Sequence, residues 1–315
     1  MLKISIFVAS NLHHNLILSM FSEKKYISKI TNKIIDFFFY GVMIFLVFLA
    51  LRIFVFDSYK IPTDSMRPTI IPGDYILVNK LAYGARLYDI FEVAARKRVN
   101  IYRVPGYQKV ERNDIVVFNI LFPNTQEKIE MRINKFFVKR CIALPGDTLH
   151  IKNGFYQINS DSLNYVGYYE AQLELSKKSK EELHNVVYES FPWDSVMGWT
   201  IKDFGPLYLP KKGDVIKLNR SSILLYKKLI EWEKDKILTF ERDTLWENKK
   251  PLNSYNFKHN YYFMGGDYLE NSGDSRYWGL VPEEYIAGKA WFIWKSNDPY
   301  TNKLREDRFF KKLTK

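Results

Sequence analysis

KFFVKRCIALPGDTLHI, residues 135–151, decides how this chain is read. Its first ten residues, Lys135–Leu144, are rich in aromatic and β-branched side chains and predict a strand. Pro145-Gly146-Asp147 then supplies a fixed φ followed by a permissive one, and Thr148–Ile151 resumes an extended pattern. The same turn idiom stands at Pro72–Asp74, before YILVNKLAY (Tyr75–Tyr83). A variant, Lys212-Gly213-Asp214, precedes VIKLN, while Asp114–Ile120 and Lys289–Trp294 add further strand patterns. The intervals between turns are unequal, so this is no solenoid repeat. The expected fold class is mainly β, an antiparallel β-rich core.

Composition narrows the function. With 315 residues, 47% hydrophobic and 26% charged, the chain is long and apolar enough for a large core, which excludes wholesale disorder. One cysteine excludes an intramolecular disulfide and any multi-cysteine metal centre. The net charge of +12 comes without a nucleic-acid-binding motif, so no nucleic-acid partner is expected and the charge runs read as solvated faces. The five histidines are scattered outside any HExxH spacing, and neither a GxSxG elbow nor a phosphate-cradling glycine loop occurs. No metal and no cofactor are expected.

FFFYGVMIFLVFLALRIFVF, Phe37–Phe56, carries a single charge, Arg52. As a helix it would span roughly 30 Å, one hydrocarbon core. Lys24, Lys25, Lys29 and Lys33 precede it, so the positive-inside rule predicts a single-pass anchor in the cytoplasmic membrane. The N-terminus would be cytoplasmic and everything after Phe56 would lie on the outer or periplasmic side. A cleaved signal peptide fits poorly, because the apolar stretch starts late and no small-residue site follows. Residues 1–19 read as neither signal nor span, and Met20 is an alternative start.

Between residues 155 and 260 the character changes. Glu170–Val186 and Ser222–Ile237 mix apolar positions with dense Lys and Glu and predict two amphipathic helices. The predicted organisation is a cytoplasmic segment 1–36, a transmembrane helix 37–56, a β core 57–154, an inserted α/β lid subdomain 155–260, and the rest of the core with a tail, 261–315. Leu87 to Arg112 reads as a loop insertion.

Three segments carry chemistry: YKIPTDSMRPTIIPGDYILVNK (Tyr59–Lys80), KRCIALPGD (Lys139–Asp147) and GGDYLENSGDSRYWGLVPEEYIAGKA (Gly265–Ala290). Together, in this order behind an apolar segment, they resemble the type I signal peptidases, serine–lysine dyad peptidases. The resemblance covers the anchor and most of residues 57–150 and 260–296. It implies Ser65 as nucleophile and Lys139 as general base, with the Thr63 hydroxyl and the Ser65 N–H stabilising the oxyanion. Ser272 would orient the lysine amine, and Asp274 with Arg276 would form a structural ion pair. Gly265, Gly266 and Asp267 would form the supporting turn that leads in. It further implies precursor signal peptides as substrate, bound as an extended strand with small residues at the first and third positions before the cut. The lipid bilayer and the secretion machinery are the implied partners. Tyr268 and Phe137 depart from the asparagine and tyrosine of other members.

The residue types suit the chemistry. A serine hydroxyl needs a base, and a lysine with its ordinary pKa near ~10.4 is charged and useless as one until burial depresses it. Lys139 lies in an apolar run, and on a strand it shares a face with Phe137 and Cys141, while Arg140 points the other way, toward a carboxylate. Taken singly, Lys139 reads as a surface strand lysine and Ser65 as a turn serine before Pro68. Cys141 reads as a small apolar filler, and Asp64 is expected to face solvent. A non-catalytic membrane scaffold of the same fold is the alternative. A penicillin-binding acyltransferase would need lysine where Pro68 stands.

Overall fold

Four turns of one design start four strands. At Ile71–Asp74, Leu144–Asp147 and Lys211–Asp214 the aspartate N–H donates to the carbonyl three residues back, at 3.1, 3.0 and 3.1 Å. Its carboxylate in turn accepts that residue's N–H at 2.9, 2.8 and 3.0 Å. The glycine before each aspartate has φ between 93° and 95°, the left-handed value that a type II turn requires. Glu111–Asp114 closes the same way with Asn113 at φ 68° in the glycine's place, a fourth copy hidden by the substitution.

The structure, a computed structural model, describes residues 29, 31–89, 91–92, 99–122, 128–159 and 165–313. The chain divides into two units, Met1–Ile53 and Phe54–Lys315. Helix α1 covers Thr31–Phe54, all but its last residue in the first unit, and is long and apolar enough to cross a membrane, with every described side chain exposed. It starts earlier than the apolar run and stops before its end, because Phe56 already opens the first strand. The reading of residues 1–28 and of Ile30 lies outside the described residues.

In the second unit, β1 (Phe56–Lys60), β2 (Asp74–Asn79), the hairpin β3 (Arg86–Leu87) and β4 (Tyr102–Arg103), β5 (Ile115–Asn119) and β6 (Phe136–Ala143) come first. The next strands are β7 (Thr148–Lys152), β8 (Phe155–Ile158), β9 (Phe204–Tyr208) and β10 (Val215–Lys217). β11 (Thr239–Glu241), β12 (Thr244–Glu247), β13 (Lys250–Leu252) and β14 (Ser254–Asn256) make small antiparallel pairings. β15 (Tyr261–Gly265), β16 (Val281–Pro282), β17 (Ile286–Ser296) and β18 (Lys311–Lys312) close the list.

The main sheet runs β1-β2-β17-β5-β6-β15-β16, with β18 added to β17, and all its pairings are antiparallel. The fold is thus mainly antiparallel β, as the strand patterns predict. β17 slips register twice against β2 and once against β5, and such bulges bend and twist a strand, curling the sheet. β5 is buried on both faces, which explains its unbroken apolar run. Ile115 and Val117 join a core with Ile61, Met66, Ile70 and Ile293, whereas Val116 and Phe118 join the larger core with Cys141 and Phe263.

Several predicted elements change length. The Tyr75–Tyr83 strand ends at Asn79, whose side-chain oxygen accepts the Ala82 N–H and turns the chain. The helix predicted over Glu170–Val186 is α2, Tyr169–Lys177. Lys202 Nζ caps it by donating to the carbonyls of Ser176 and Lys178, at 3.0 and 2.7 Å. Helix α3, Arg220–Lys234, begins with an Asn219 capping box, two residues before the predicted start, and ends at Asp235 in the left-handed conformation.

Candidate active site

Ser65 lies in the loop between β1 and β2. Met66 and Ile70, 2% and 0% exposed, anchor that loop in the core it shares with Ile76 and Val117. Lys139 sits in β6 opposite Val116 of β5 and is 3% exposed. Its Nζ is 2.5 Å from Ser65 Oγ, so residues 74 apart in sequence share one hydrogen bond. The amine also lies 5.6 Å from the centre of the Phe137 ring, on the strand face that alternation assigns to both. Phe137 stacks flat on Trp278, 5.0 Å between ring centres. Burial pushes the Lys139 ammonium from its ordinary 10.5 down to about 8; the Asp274 carboxylate opposes this and the Arg276 guanidinium adds to it.

Two buried ion pairs hold the surroundings. Asp274 is the N-cap of the short helix α4 (Ser275–Trp278), so the Asp274–Arg276 pair is made at a helix start and not along a strand. Arg276 Nε and Nη2 donate to the two carboxylate oxygens at 2.9 and 2.8 Å, and Nη2 also reaches the Leu269 carbonyl at 2.8 Å. Asp274 accepts in addition from the Gly266 N–H at 3.0 Å. Burial alone would raise the Asp274 carboxyl; the Arg276 charge and these hydrogen bonds outweigh it and hold it below its usual range. The nearby Ser272 hydroxyl adds to this without reaching hydrogen-bond geometry.

The second pair supplies the partner of Arg140. Its Nε and Nη2 donate to Asp267 at 2.7 and 2.7 Å, both residues being buried. Thr69 Oγ1 donates to the same carboxylate at 2.5 Å. Asp267 therefore ties β6 to the loop that carries Ser65. Arg308, near the C-terminal end, binds Asp74 through two hydrogen bonds and the Thr69 carbonyl through a third, at 2.9, 2.6 and 3.0 Å. Nothing in the sequence around Arg308 signals this, because its partners are more than two hundred residues away.

The structure thus brings together Ser65, Lys139, Gly265, Asp267, Asp274 and Arg276. Ser272 is 5% exposed beside them, but its Oγ makes no hydrogen bond among the described residues, to Lys139 or to any other group. Thr63 is exposed, two residues before Ser65. Asp64 is half-buried and accepts from Asn271 Nδ2 at 2.9 Å, which turns it toward that side chain. Burial, with Asp114 nearby, pushes the fully buried Cys141 thiol well up, which disfavours a thiolate there.

Gly266, expected only as part of the supporting turn, makes the closest approach at the site. A Cβ there would lie 2.1 Å from Ser272 Oγ and 2.5 Å from the Ser65 carbonyl oxygen. The Tyr268 N–H donates to that same carbonyl at 3.1 Å. Only glycine lets the turn after β15 close on the serine loop. The Gly265-Gly266 doublet was the available signal.

The family described as "Signal peptidase, peptidase S26" matches residues 34–295. The chain belongs to this family of enzymes. It is 31% identical to the signal peptidase I of Buchnera aphidicola subsp. Schizaphis graminum over 82% of its own length and 73% of the relative's. It is 30% identical to the signal peptidase I of Pseudomonas aeruginosa, over 81% of this chain and 71% of that one.

Proposed function

We propose that the chain is a membrane-anchored serine endopeptidase that cleaves signal peptides from translocated precursors, with Ser65 as nucleophile and neutral Lys139 as general base. Membership of a signal peptidase family supports the reaction class. The observation that carries the residue assignment is the 2.5 Å contact between Ser65 Oγ and a Lys139 amine that is 3% exposed. The charged amine donates to Oγ; once neutral, it accepts the hydroxyl proton as Oγ attacks the scissile carbonyl carbon. The protonated amine then gives that proton to the leaving nitrogen, and the acyl-enzyme is released by a water that Lys139 deprotonates in its turn. The Ser65 N–H makes no hydrogen bond among the described residues and, with the Thr63 hydroxyl, would hold the oxyanion. Ser272 is read as the group that orients the amine once substrate is bound.

Helix α1 is read as the anchor, with the N-terminus cytoplasmic and the catalytic unit on the outer or periplasmic side. Residues 57–154 and 261–315 are read as the catalytic core, and 155–260 as its inserted lid.

The direct test incubates the detergent-solubilised chain with a precursor bearing a small-x-small cleavage site. Site-specific cleavage by the parent and its loss in Ser65→Ala are expected; cleavage that survives Ser65→Ala would discard the mechanism. Gly266→Ala should lower kcat by at least about a hundredfold, since displacing a reacting group by ~1 Å costs that much. Circular dichroism would show the variant folded, and an unchanged kcat would refute the proposed role of the close approach.

A further inference from the structure

A cavity of about 320 Å³ lies at the corner of the sheet where β1 begins, lined by Asn79, Tyr107, Gln108, Lys289, Trp291 and Lys312 among others. Strand register fixes its place. Phe56, the first residue of β1, pairs with Asn79 of β2, and Asn79 pairs with Lys289 of β17. α1 ends at Phe54, so a single residue separates the apolar helix from the strand that borders this corner.

The polar groups around the cavity leave donors and positive charge in excess. Gln108 Nε2 is buried and makes no hydrogen bond among the described residues, a rare condition for an amide donor. Asn79 is already engaged: its Nδ2 donates to Tyr107 Oη at 2.9 Å and its Oδ1 accepts the Ala82 N–H at 3.1 Å. The Lys289 ammonium, 2.6 Å from Asp114, has its charge matched. Lys312 makes no ion pair among the described residues and supplies the surplus charge. At the lip, Trp291 is 49% exposed and Tyr107 69%, side chains that favour the boundary between headgroups and hydrocarbon.

We propose that this cavity holds the phosphate of an anionic phospholipid headgroup, with Gln108 Nε2 and Lys312 Nζ donating to its oxygens. A phosphodiester offers an acceptor to Gln108 Nε2 and one negative charge to Lys312. A free phosphate has the same chemistry, but the position one residue from the apolar helix favours a lipid. The inference rests on α1 being a membrane anchor.

The test is native mass spectrometry of the full chain in detergent with equal amounts of phosphatidylglycerol or phosphatidylcholine. The parent should carry roughly tenfold more phosphatidylglycerol, because both lipids present the phosphodiester but the choline of phosphatidylcholine sets a second positive charge beside Lys312 and cancels the net attraction. The Gln108→Leu/Lys312→Gln double variant should fall to the phosphatidylcholine level while still cleaving precursor, which shows it folded. Equal binding of the two lipids, or an undiminished adduct in the double variant, would overturn the site. Displacement by excess inorganic phosphate would overturn the lipid assignment in favour of a free anion. Carbonate extraction of vesicles reports on the anchor separately: parent and double variant should both stay in the membrane, and release of both would overturn the anchored reading itself.

Discussion

Lys139→Met should lower kcat/KM by at least about 10⁴-fold, the scale on which a catalytic serine or its base is lost from a hydrolase. The same change should make the folded chain more stable at pH 7. In the parent the lysine titrates at about 8 when folded, against 10.5 as an ordinary side chain. Its folded value is depressed, so below pH 8 the buried ammonium costs stability. Between about 8 and 10.5 the unfolded chain binds more protons, and stability rises with pH until the cost is gone. The shift corresponds to roughly 3 kcal/mol. Methionine has a similar length and no charge; losing the bond to Ser65 takes back about 1 kcal/mol. A net gain of roughly 2 kcal/mol at pH 7, falling to zero just below about pH 10 and reversing by up to about 1 kcal/mol above it, is expected in thermal unfolding of the solubilised chain. In the parent, kcat/KM should rise with pH around a midpoint near 8 and then level off, because the neutral amine is the active form. A flat profile between pH 6 and 9, or a variant less stable than the parent at pH 7, would count against a neutral lysine base.

Arg276→Met should destabilise the catalytic unit by about 3–5 kcal/mol, the usual cost of leaving one charge of a buried pair without its partner. Asp274 is 0% and Arg276 1% exposed, so water cannot take over the lost bonds. The damage should also reach activity: Asp274 holds the Gly266 N–H, and Gly266 is the residue packed against Ser65. Arg276→Lys should fail to rescue, because one ammonium cannot span both carboxylate oxygens and the Leu269 carbonyl. The Asp274→Asn/Arg276→Met double variant should recover much of the stability, since it leaves no unpaired charge. Urea unfolding midpoints measure all three. A loss under about 1 kcal/mol in Arg276→Met would mean that the pair is far less important than its burial suggests.

The sequence by itself determined the local pieces. The turn idiom is legible because proline, glycine and aspartate each act within four residues. Strand positions follow from side-chain patterns, and the apolar helix from one uninterrupted run. Ser65 and Lys139 were legible as motif members only, since neither residue taken alone differs from a turn serine or a strand lysine. What tertiary structure alone decided is whatever depends on distant segments meeting. β17 lies between β2 and β5 although both come much earlier in the chain, and that placement helps set the curl of the sheet. The charge state of Lys139, the choice of Asp267 by Arg140, the reach of Arg308 to Asp74 and the tight seat of Gly266 likewise depend on segments far apart in sequence. The helix after Tyr168 ended early for the same reason, as Lys202 arrived from outside to cap it. Hydrogen-bonded turns are fixed by neighbours in sequence, whereas desolvation and ion pairing depend on neighbours in space, which exist only once the chain has folded.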